Sequence, residues 1–412
     1  MPLTRRQIYR RRRIVVFGGL VLVLAALIYS FSTLTASVPA TAAELKEPAA
    51  ISTPQAQPAW PGFGRGAVGA VGFDGVLSAS GDQSAAPMAS ITKIITALVV
   101  LDAKPIAVGE DGPSITYTDA DVDIYYQEVA ADASVAPVRD GLVLSEKQSL
   151  TMMLLPSAGN YSISVANWAF GSVDAYLGAA ATWLKAHGLA NTTVVDTSGL
   201  SDESASTPAD LVELAKIANT DPTISAIVSQ PSAEIPGIGT IENTNKMIGS
   251  HNVDGIKTGT NDNAGACLLF SADYTIGSRT VTVVGVLLGG PDMGDHAELD
   301  AAVGTLLDSV SAAFHEVTLT KAGERYASYT SEWGDTVTAV AEHDASALVW
   351  SNTPITSTAT SKTLRTVADG DTVGSVTFTI NGTTTVVPLV ARGEIEDPGT
   401  LWRLGHPGEL AA

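Results

Sequence analysis

The hydrophobic and polar positions divide the chain into stretches of different periodicity. Residues 67–73 and 76–80 are short runs of apolar or small residues, and the Asp74-Gly75 pair between them is typical of a tight turn. From residue 90 to residue 102, apolar side chains cover most of the circumference of a helix, which predicts a buried helix. The folded part of the chain therefore begins with an antiparallel hairpin and continues into the core.

Helical periodicity dominates the middle of the chain, and strand patterns return after it. Further helices are predicted at residues 146–155, 161–169, 173–187 and 208–218. Strands are predicted at residues 255–258, 265–272 and 280–288, followed by an amphipathic helix at residues 297–314. Strands on both sides of a helical region imply an α+β fold, in which one antiparallel sheet built from distant segments carries helices on its faces. We expect this domain to span residues 65–315.

Alternation of apolar and polar residues becomes regular near the C-terminus. It is clearest at residues 375–380, and the Asn381-Gly382 pair then predicts a tight turn into a second strand at residues 383–390. We expect residues 316–412 to form a separate, small all-β domain.

The N-terminal region has the composition of a membrane-targeting segment. Arginines crowd residues 1–13, and an uncharged apolar stretch follows at residues 14–35. Because about 20 apolar residues cross a bilayer and basic flanks stay in the cytoplasm, we expect a cytoplasmic tail, a transmembrane anchor and an extracytoplasmic body. Residues 36–64, rich in Ala and Pro, are expected to be a flexible tether. The Ala40-Thr41-Ala42 segment also fits a cleavage site, so a cleaved signal and a secreted protein remain the alternative.

Composition limits the partners and cofactors. The formal net charge of −20 opposes binding to phosphate backbones, so we expect no nucleic-acid partner. The only cysteine, Cys267, lies in an apolar run and is expected to be a small buried side chain. The six histidines are scattered without metal-ligand spacing, and each is expected to be a surface or capping residue. Neither a metal nor a cofactor is predicted.

Ser90 and Lys93 are the first candidates for chemistry. They stand three residues apart at the start of the buried helix, which places the hydroxyl and the amine on one face. A serine hydroxyl needs a neighbour that takes its proton, and a lysine does so once burial lowers its pKa. This spacing is common in long proteins, so a simple N-cap role for Ser90 is the alternative.

Two further segments support a site. Lys257-Thr258-Gly259-Thr260 ends a predicted strand, where a lysine and hydroxyls can face a cleft and a glycine allows close approach of the backbone, although a solvated turn is the alternative. Ser157 stands in a break between two helices and offers another hydroxyl to the same cleft. The three elements together, in this order, are far more specific than any one of them.

In this order, Ser90-x-x-Lys93, the segment from Ser157 to Asn160, and Lys257-Thr258-Gly259 resemble the motifs of penicillin-binding proteins and serine β-lactamases. The details are similar to those of low-molecular-weight D-alanyl-D-alanine carboxypeptidases over roughly residues 67–314. They include Asp196-Thr197-Ser198-Gly199-Leu200 and Asn243-Thr244-Asn245. The C-terminal β domain is also similar to the usual addition in that family.

The resemblance implies a role for each motif residue. Ser90 would attack the peptide bond between two terminal D-alanines of a peptidoglycan stem peptide and form an acyl-enzyme, with Lys93 as the base. Ser157 would relay a proton to the leaving amine, and Lys257 would bind the substrate's C-terminal carboxylate. The Thr258-Gly259-Thr260 segment would line the site, backbone N–H groups of residues 90 and 260 would form the oxyanion hole, and β-lactams would be covalent inhibitors.

One position departs from the family. The asparagine of the second motif normally stands two residues after the serine, but Gly159 occupies that position here and Asn160 follows it. Either a local shift brings Asn160 to the substrate, or the usual amide contact is missing. Besides a carboxypeptidase, two functions therefore stay open. One is a catalytically impaired protein that binds wall peptides or penicillin, and the other, less favoured because no glutamate lies in an obvious deacylating loop, is a β-lactamase-like hydrolase.

Overall fold

The computed structural model describes residues 4–291 and 293–410. It divides into a central unit, Pro54–Glu316, and a β unit that combines Met1–Thr53 with Val317–Ala412. The boundary at the C-terminal end of the central unit falls one residue after the one expected from the sequence, whereas its first residue, Pro54, lies eleven residues before the expected start at residue 65. The first three positions of the predicted basic tail and the last two of the predicted β domain lie outside the described residues.

The first helix of the described residues, α1 (Arg5–Thr35), is long and contains both the arginines and the apolar stretch. By length and composition this helix is able to cross a membrane. The next strand, β1 (Glu44–Leu45), pairs with the edge of the sheet of the β unit, and Thr41 forms a backbone bridge with Leu364. The segment that we expected to be a flexible tether therefore joins the β unit in part, because its backbone N–H and C=O groups find partners there.

The central unit combines strands from both ends of its sequence with helices from the middle. Its strands are β2 (Arg65–Ala70), β3 (Ser78–Ser80), β4 (Ala86–Pro87), β5 (Ser114–Thr116), β6 (Val143–Ser145), β7 (Ala205–Ser206), β8 (Ser232–Ile235), β9 (Gly239–Glu242), β10 (Val253–Asn261), β11 (Gly265–Ile276) and β12 (Arg279–Gly290). The main sheet is antiparallel, with the order β10-β11-β12-β2-β3. The predicted α+β fold is thus confirmed, since the N-terminal hairpin lies beside strands some 200 residues later in the chain.

The helices of this unit cluster between and against the strands. They are α2 (Thr92–Ala103), α3 (Asp119–Ala130), α4 (Glu146–Leu154), α5 (Gly159–Phe170), α6 (Val173–Ala186), α7 (Pro208–Thr220), α8 (Pro222–Val228) and α9 (Ala297–Ser311). Every residue of α2 from 92 to 101 is buried, as its all-round apolar pattern predicts. Each buried aliphatic side chain contributes about 1.5–3 kcal/mol, so α2 is held firmly in the core.

Helix α3 was not predicted from the sequence. Its apolar side chains are interspersed with three aspartates, and its buried residue is Glu128, so it has no buried apolar stripe. The helix starts at a capping box, in which the backbone N–H of Thr118 donates to the carboxylate of Asp121 at 2.8 Å. Local capping and tertiary packing, not hydrophobic periodicity, specify this element.

The β unit is built mainly from C-terminal strands. They are β13 (Phe314–Thr320), β14 (Arg325–Thr330), β15 (Thr336–Ala341), β16 (Ala345–Trp350), β17 (Ile355–Ser361), β18 (Thr372–Ile380) and β19 (Thr383–Arg392), followed by α10 (Gly399–Gly405). Six strands form a sheet in the order β1-β14-β15-β19-β18-β17. Asn381 and Gly382 both have positive φ and connect β18 to β19, as the tight-turn signal predicts.

Candidate active site

Ser90 and Lys93 meet at the start of the buried helix. Ser90 lies in a 3₁₀ turn, Ala89–Ile91, that leads into α2, and the φ of Ala89 is +45°, a strained value for a residue with a side chain. The Nζ atom of Lys93 lies 2.9 Å from the Oγ atom of Ser90 and 3.0 Å from the carbonyl oxygen of Ser198. The two side chains expected to carry the chemistry are therefore in direct contact.

The environment of Lys93 favours a proton acceptor. Its side chain is 3% exposed. Burial lowers its pKa to about 8, while the carboxylates of Asp196 and Glu128 act in the opposite direction. Roughly one lysine in ten would then be neutral at pH 7, far more than for an ordinary lysine. A neutral amine in contact with a serine hydroxyl is suited to take its proton.

A tight turn fixes the second partner of Lys93. The carboxylate of Asp196 accepts hydrogen bonds from the backbone N–H groups of Ser198 at 3.0 Å and Gly199 at 2.5 Å. Gly199 has a φ of +78°, and a Cβ atom there would lie 1.8 Å from the carbonyl oxygen of Ala89. Only glycine fits this contact, which holds the turn against the segment that carries the serine.

Strand β10 passes close to the serine. A Cβ atom on Gly259 would lie 3.0 Å from the carbonyl oxygen of Met88 and 3.2 Å from the backbone nitrogen of Ser90, so glycine permits this approach. The backbone segments around residues 90 and 260 are thereby neighbours. Their role as an oxyanion hole remains a prediction.

Thr260 has a partner that we did not anticipate. Its Oγ1 atom lies 2.6 Å from Nε2 of His296. From the sequence we expected His296 to be a surface or capping residue, and it does occupy the N-cap position of α9. Its ring nevertheless reaches the site, a contact for which the sequence carries no signal because the two residues are far apart along the chain.

Lys257 is enclosed beside the cleft. Its side chain is 1% exposed, and its Nζ atom donates to the carbonyl oxygen of Thr258 at 3.1 Å. The Oγ1 atom of Thr258 lies 2.6 Å from that of Thr244. Burial, and secondarily the charge of Lys93, holds the pKa of Lys257 well below its usual range. An incoming carboxylate would supply the missing counter-charge, although this role for Lys257 stays a prediction.

The second motif separates into one residue that faces the site and one that does not. Ser157 has a φ of +63° and borders a cavity with Ser90. Asn160 is 1% exposed, and its amide accepts from the backbone N–H of Ala136 and donates to the carbonyl of the same residue, both at 3.0 Å. The expectation that Asn160 contacts substrate is therefore not met. Successive helical residues turn by about 100°, so Gly159 at the start of α5 faces the cleft and Asn160 is directed away.

Two cavities open beside the serine. One, of about 440 Å³, is bordered by Ser90, Lys93 and Gly159. The other, of about 570 Å³, is bordered by Ser90, Ser157 and His296. Both volumes lie in the range typical of small-molecule sites. A substrate lying across Ser90 would thus have room on both sides of the bond to be broken.

Two carboxylates near Lys93 add to the residues expected from the sequence. Asp196 belongs to one of the segments that resemble the family, whereas the sequence gives no signal for Glu128. Glu128 is 8% exposed, and burial raises its pKa while the charge of Lys93 lowers it. By contrast, burial raises the pKa of Cys267 to about 12, which agrees with an inert core thiol.

Comparison with known proteins places these motifs in a family. The D-alanyl-D-alanine carboxypeptidase family matches residues 74–289, just over half of the chain. A D-alanyl-D-alanine endopeptidase of Pseudomonas aeruginosa is 30% identical over 219 residues, which cover 51% of this chain and 66% of that protein. The D-alanyl-D-alanine carboxypeptidase DacA of Escherichia coli is 27% identical over 252 residues, 60% of each chain. The chain spans less than two thirds of the length of these relatives.

The solved structures agree on the fold. A peptidoglycan synthesis regulatory factor from Streptococcus pneumoniae superposes with a TM-score of 0.59 at 21% identity, covering 82% of this chain and 100% of that one. The family match contains Ser90, Lys93, Ser157 and Lys257. The chain therefore belongs to the family of serine-type D-alanyl-D-alanine carboxypeptidases, which are penicillin-binding proteins.

Proposed function

We propose that this chain removes the terminal D-alanine from peptidoglycan stem peptides through an acyl-enzyme on Ser90. The observation that carries the proposal is the 2.9 Å contact between Ser90 Oγ and Lys93 Nζ, in a setting where burial lowers the pKa of the lysine to about 8. A base of this kind is active near neutral pH and contributes about 10²–10⁴-fold to such a reaction.

The reaction divides into two steps. Neutral Lys93 takes the proton of Ser90, the serine oxygen bonds to the carbonyl carbon of the penultimate D-alanine, and the C–N bond to the terminal D-alanine breaks. The leaving nitrogen receives a proton through Ser157, and free D-alanine departs. Water then adds to the ester carbonyl, the Ser90 oxygen leaves and regains a proton, and the shortened peptide is released.

The surroundings of the serine suit a peptide with a free carboxylate. The two cavities give room to the acyl part and to the leaving D-alanine. On the leaving side, Lys257 and the Thr258 hydroxyl would meet the C-terminal carboxylate, and the Gly259-Thr260 backbone would line the scissile carbonyl. We also infer that α1 anchors the chain in the cytoplasmic membrane, with the catalytic part outside it, where peptidoglycan lies.

Three other outcomes follow from specific observations. The Pseudomonas aeruginosa relative is named an endopeptidase, which motivates cleavage of cross-linked peptides by the same serine. The absence of an asparagine side chain at Gly159 motivates a binding protein with slow turnover. The Glu128 carboxylate near Lys93 motivates hydrolysis of β-lactams, because a carboxylate is suited to activate water.

The test is covalent labelling of the full-length protein in detergent with a fluorescent penicillin, with Ser90→Ala as the control. We expect the wild type to be labelled and to release D-alanine from a pentapeptide, and Ser90→Ala to do neither. Equal release of D-alanine by the two proteins would refute the proposal.

The same preparation separates the alternatives. Digestion of cross-linked muropeptide dimers to monomers identifies endopeptidase activity. Repeated turnover of benzylpenicillin identifies a β-lactamase, and labelling without release of D-alanine identifies a binding protein.

A further inference from the structure

The Glu128 carboxylate lies in an unusual place for a charged group. It comes from helix α3, in which no other residue is buried, yet it is only 8% exposed, and within the described part of the chain its Oε2 atom accepts no hydrogen bond. A buried carboxylate oxygen without a donor costs several kcal/mol unless a nearby positive charge compensates it. Glu128 therefore requires a positive charge among its neighbours.

The carboxylate occupies the space of the missing side chain at position 159. A Cβ atom on Gly159 would lie 2.3 Å from Glu128 Oε2, so no larger residue fits there while Glu128 keeps its position. Gly159 itself borders the cavity that contains Ser90 and Lys93. The glycine and the buried glutamate are therefore two parts of one arrangement at the cleft wall.

The positive charge that acts on the Glu128 carboxylate is that of Lys93, which lowers the pKa of Glu128. Two carboxylates, Glu128 from α3 and Asp196 from the turn before β7, favour the charged form of Lys93, and burial opposes it. Lys257 on β10 is the other cation in this group, and its charge and that of Lys93 disfavour each other. Asp196 already accepts backbone N–H groups, whereas Glu128 Oε2 accepts no hydrogen bond within the described part of the chain, so its interaction with Lys93 is not shared with a backbone donor at that oxygen.

We propose that Glu128 is a positioning residue of this active site, which occupies the place left by Gly159 and compensates the positive charge that Lys93 acquires when it takes the proton of Ser90. The proposal rests on the function proposed above and adds a residue to it. Without the carboxylate, the site stabilises the ammonium form of Lys93 less. Lys93 is then a weaker base.

The first test is the pH profile of acylation in the full-length protein, measured with a fluorescent penicillin. Glu128→Gln keeps the shape and removes the charge. We expect its acylation midpoint to move to lower pH by about one unit and its maximal rate to fall about tenfold. The matched control is Asp123→Asn, which removes one charge from an exposed position of the same helix and should leave both quantities unchanged.

The second test exploits the contact between the two positions. Gly159→Asn alone should slow acylation, because its side chain forces the Glu128 carboxylate out of its position. In the Glu128→Ala background the obstacle is absent, so adding Gly159→Asn should slow acylation much less than it does in the wild type. Circular dichroism and the thermal unfolding midpoint of each variant show whether it is folded, and Glu128→Gln remains informative if the others are not.

The outcomes separate this proposal from the function on which it rests. If the wild type is not acylated at Ser90, the proposed function fails. If it is acylated but Glu128→Gln has the same pH midpoint and rate as the wild type, only the role of Glu128 fails. The same conclusion follows if Glu128→Gln acylates normally but releases the penicilloyl group slowly, because the carboxylate then acts on the hydrolytic water and not on Lys93.

Discussion

At the scale of single residues, burial decides what chemistry the side chains proposed to be catalytic can perform. A solvated lysine is protonated at neutral pH and is no base, but Lys93 is enclosed by the core and by the turn that carries Ser198. Its two carboxylate neighbours keep its pKa from falling further. The result is an amine whose pKa, about 8, lies close to neutral pH.

This predicts a specific pH dependence. Because only the neutral amine accepts the serine proton and the pKa of Lys93 is about 8, the acylation rate should rise as pH increases and reach half of its maximum near pH 8. Rates of labelling with a fluorescent penicillin between pH 5.5 and 9.5 would measure it. Lys93→Arg should reduce the rate by about 10²-fold or more, and the exposed control Lys185→Arg should not. A rate that is constant from pH 6 to pH 9 would contradict this role of Lys93.

A second prediction concerns the turn at Gly199. Gly199→Ala adds a Cβ atom that would lie 1.8 Å from the carbonyl oxygen of Ala89, so we expect a loss of about 2 kcal/mol or more of stability. Gly188→Ala is the matched control, because Gly188 also has a positive φ, +73°, but has nothing within 4 Å. Thermal unfolding midpoints should fall clearly further for Gly199→Ala. Equal shifts would mean that backbone conformation, and not the contact with Ala89, accounts for the effect.

At the scale of elements, helix termini place the reactive groups. The 3₁₀ turn before α2 presents Ser90, the start of α5 presents Gly159, and the break after α4 presents Ser157. Helix α4 is held at its other end by a capping box, in which the Ser145 hydroxyl accepts from the Gln148 N–H at 3.1 Å. The residues at the ends of these helices are therefore more narrowly specified than the residues in the middle.

The capping box gives a prediction for α4. Ser145→Ala removes the acceptor of the Gln148 N–H and should cost about 1 kcal/mol of stability, whereas Ser145→Asp keeps an acceptor and should cost much less. Thermal unfolding of the two variants beside the wild type measures the difference. The expectation is contradicted if alanine and aspartate have the same effect.

At the scale of the whole molecule, the chain order is not the spatial order. The central sheet joins β2 and β3 to strands that follow the helical region, and the β unit takes in residues that precede the central unit. In the β unit, the backbone N–H of Thr41 donates to Leu364 and the N–H of Leu364 donates back, at 2.6 and 2.9 Å. The N-terminal segment is thereby fastened to the C-terminal domain.

This fastening can be tested with one substitution. Thr41→Pro removes the donated hydrogen bond, about 1 kcal/mol in net terms, and should make residues 36–53 more sensitive to limited proteolysis. Thr41→Ala keeps the N–H group and should behave like the wild type. If both variants are cut as slowly as the wild type, the bridge does not hold this segment.

Much of this protein was determined by sequence alone. The buried α2, the alternating strands of the β unit and the Asn381-Gly382 turn follow from local patterns, because side-chain periodicity and turn chemistry act over a few residues. The order of the three motifs likewise indicates the family, which the family match over residues 74–289 confirms.

Only the tertiary structure decided which side chains meet. Glu128 and His296 reach the site from segments that carry no local signal, and Asn160 is turned away from the cleft by the rotation of its helix. The physical reason is that contacts and pKa shifts depend on burial and on neighbours distant in the chain. A polar residue in a helix such as α3 has the same local sequence whether it faces water or a buried lysine.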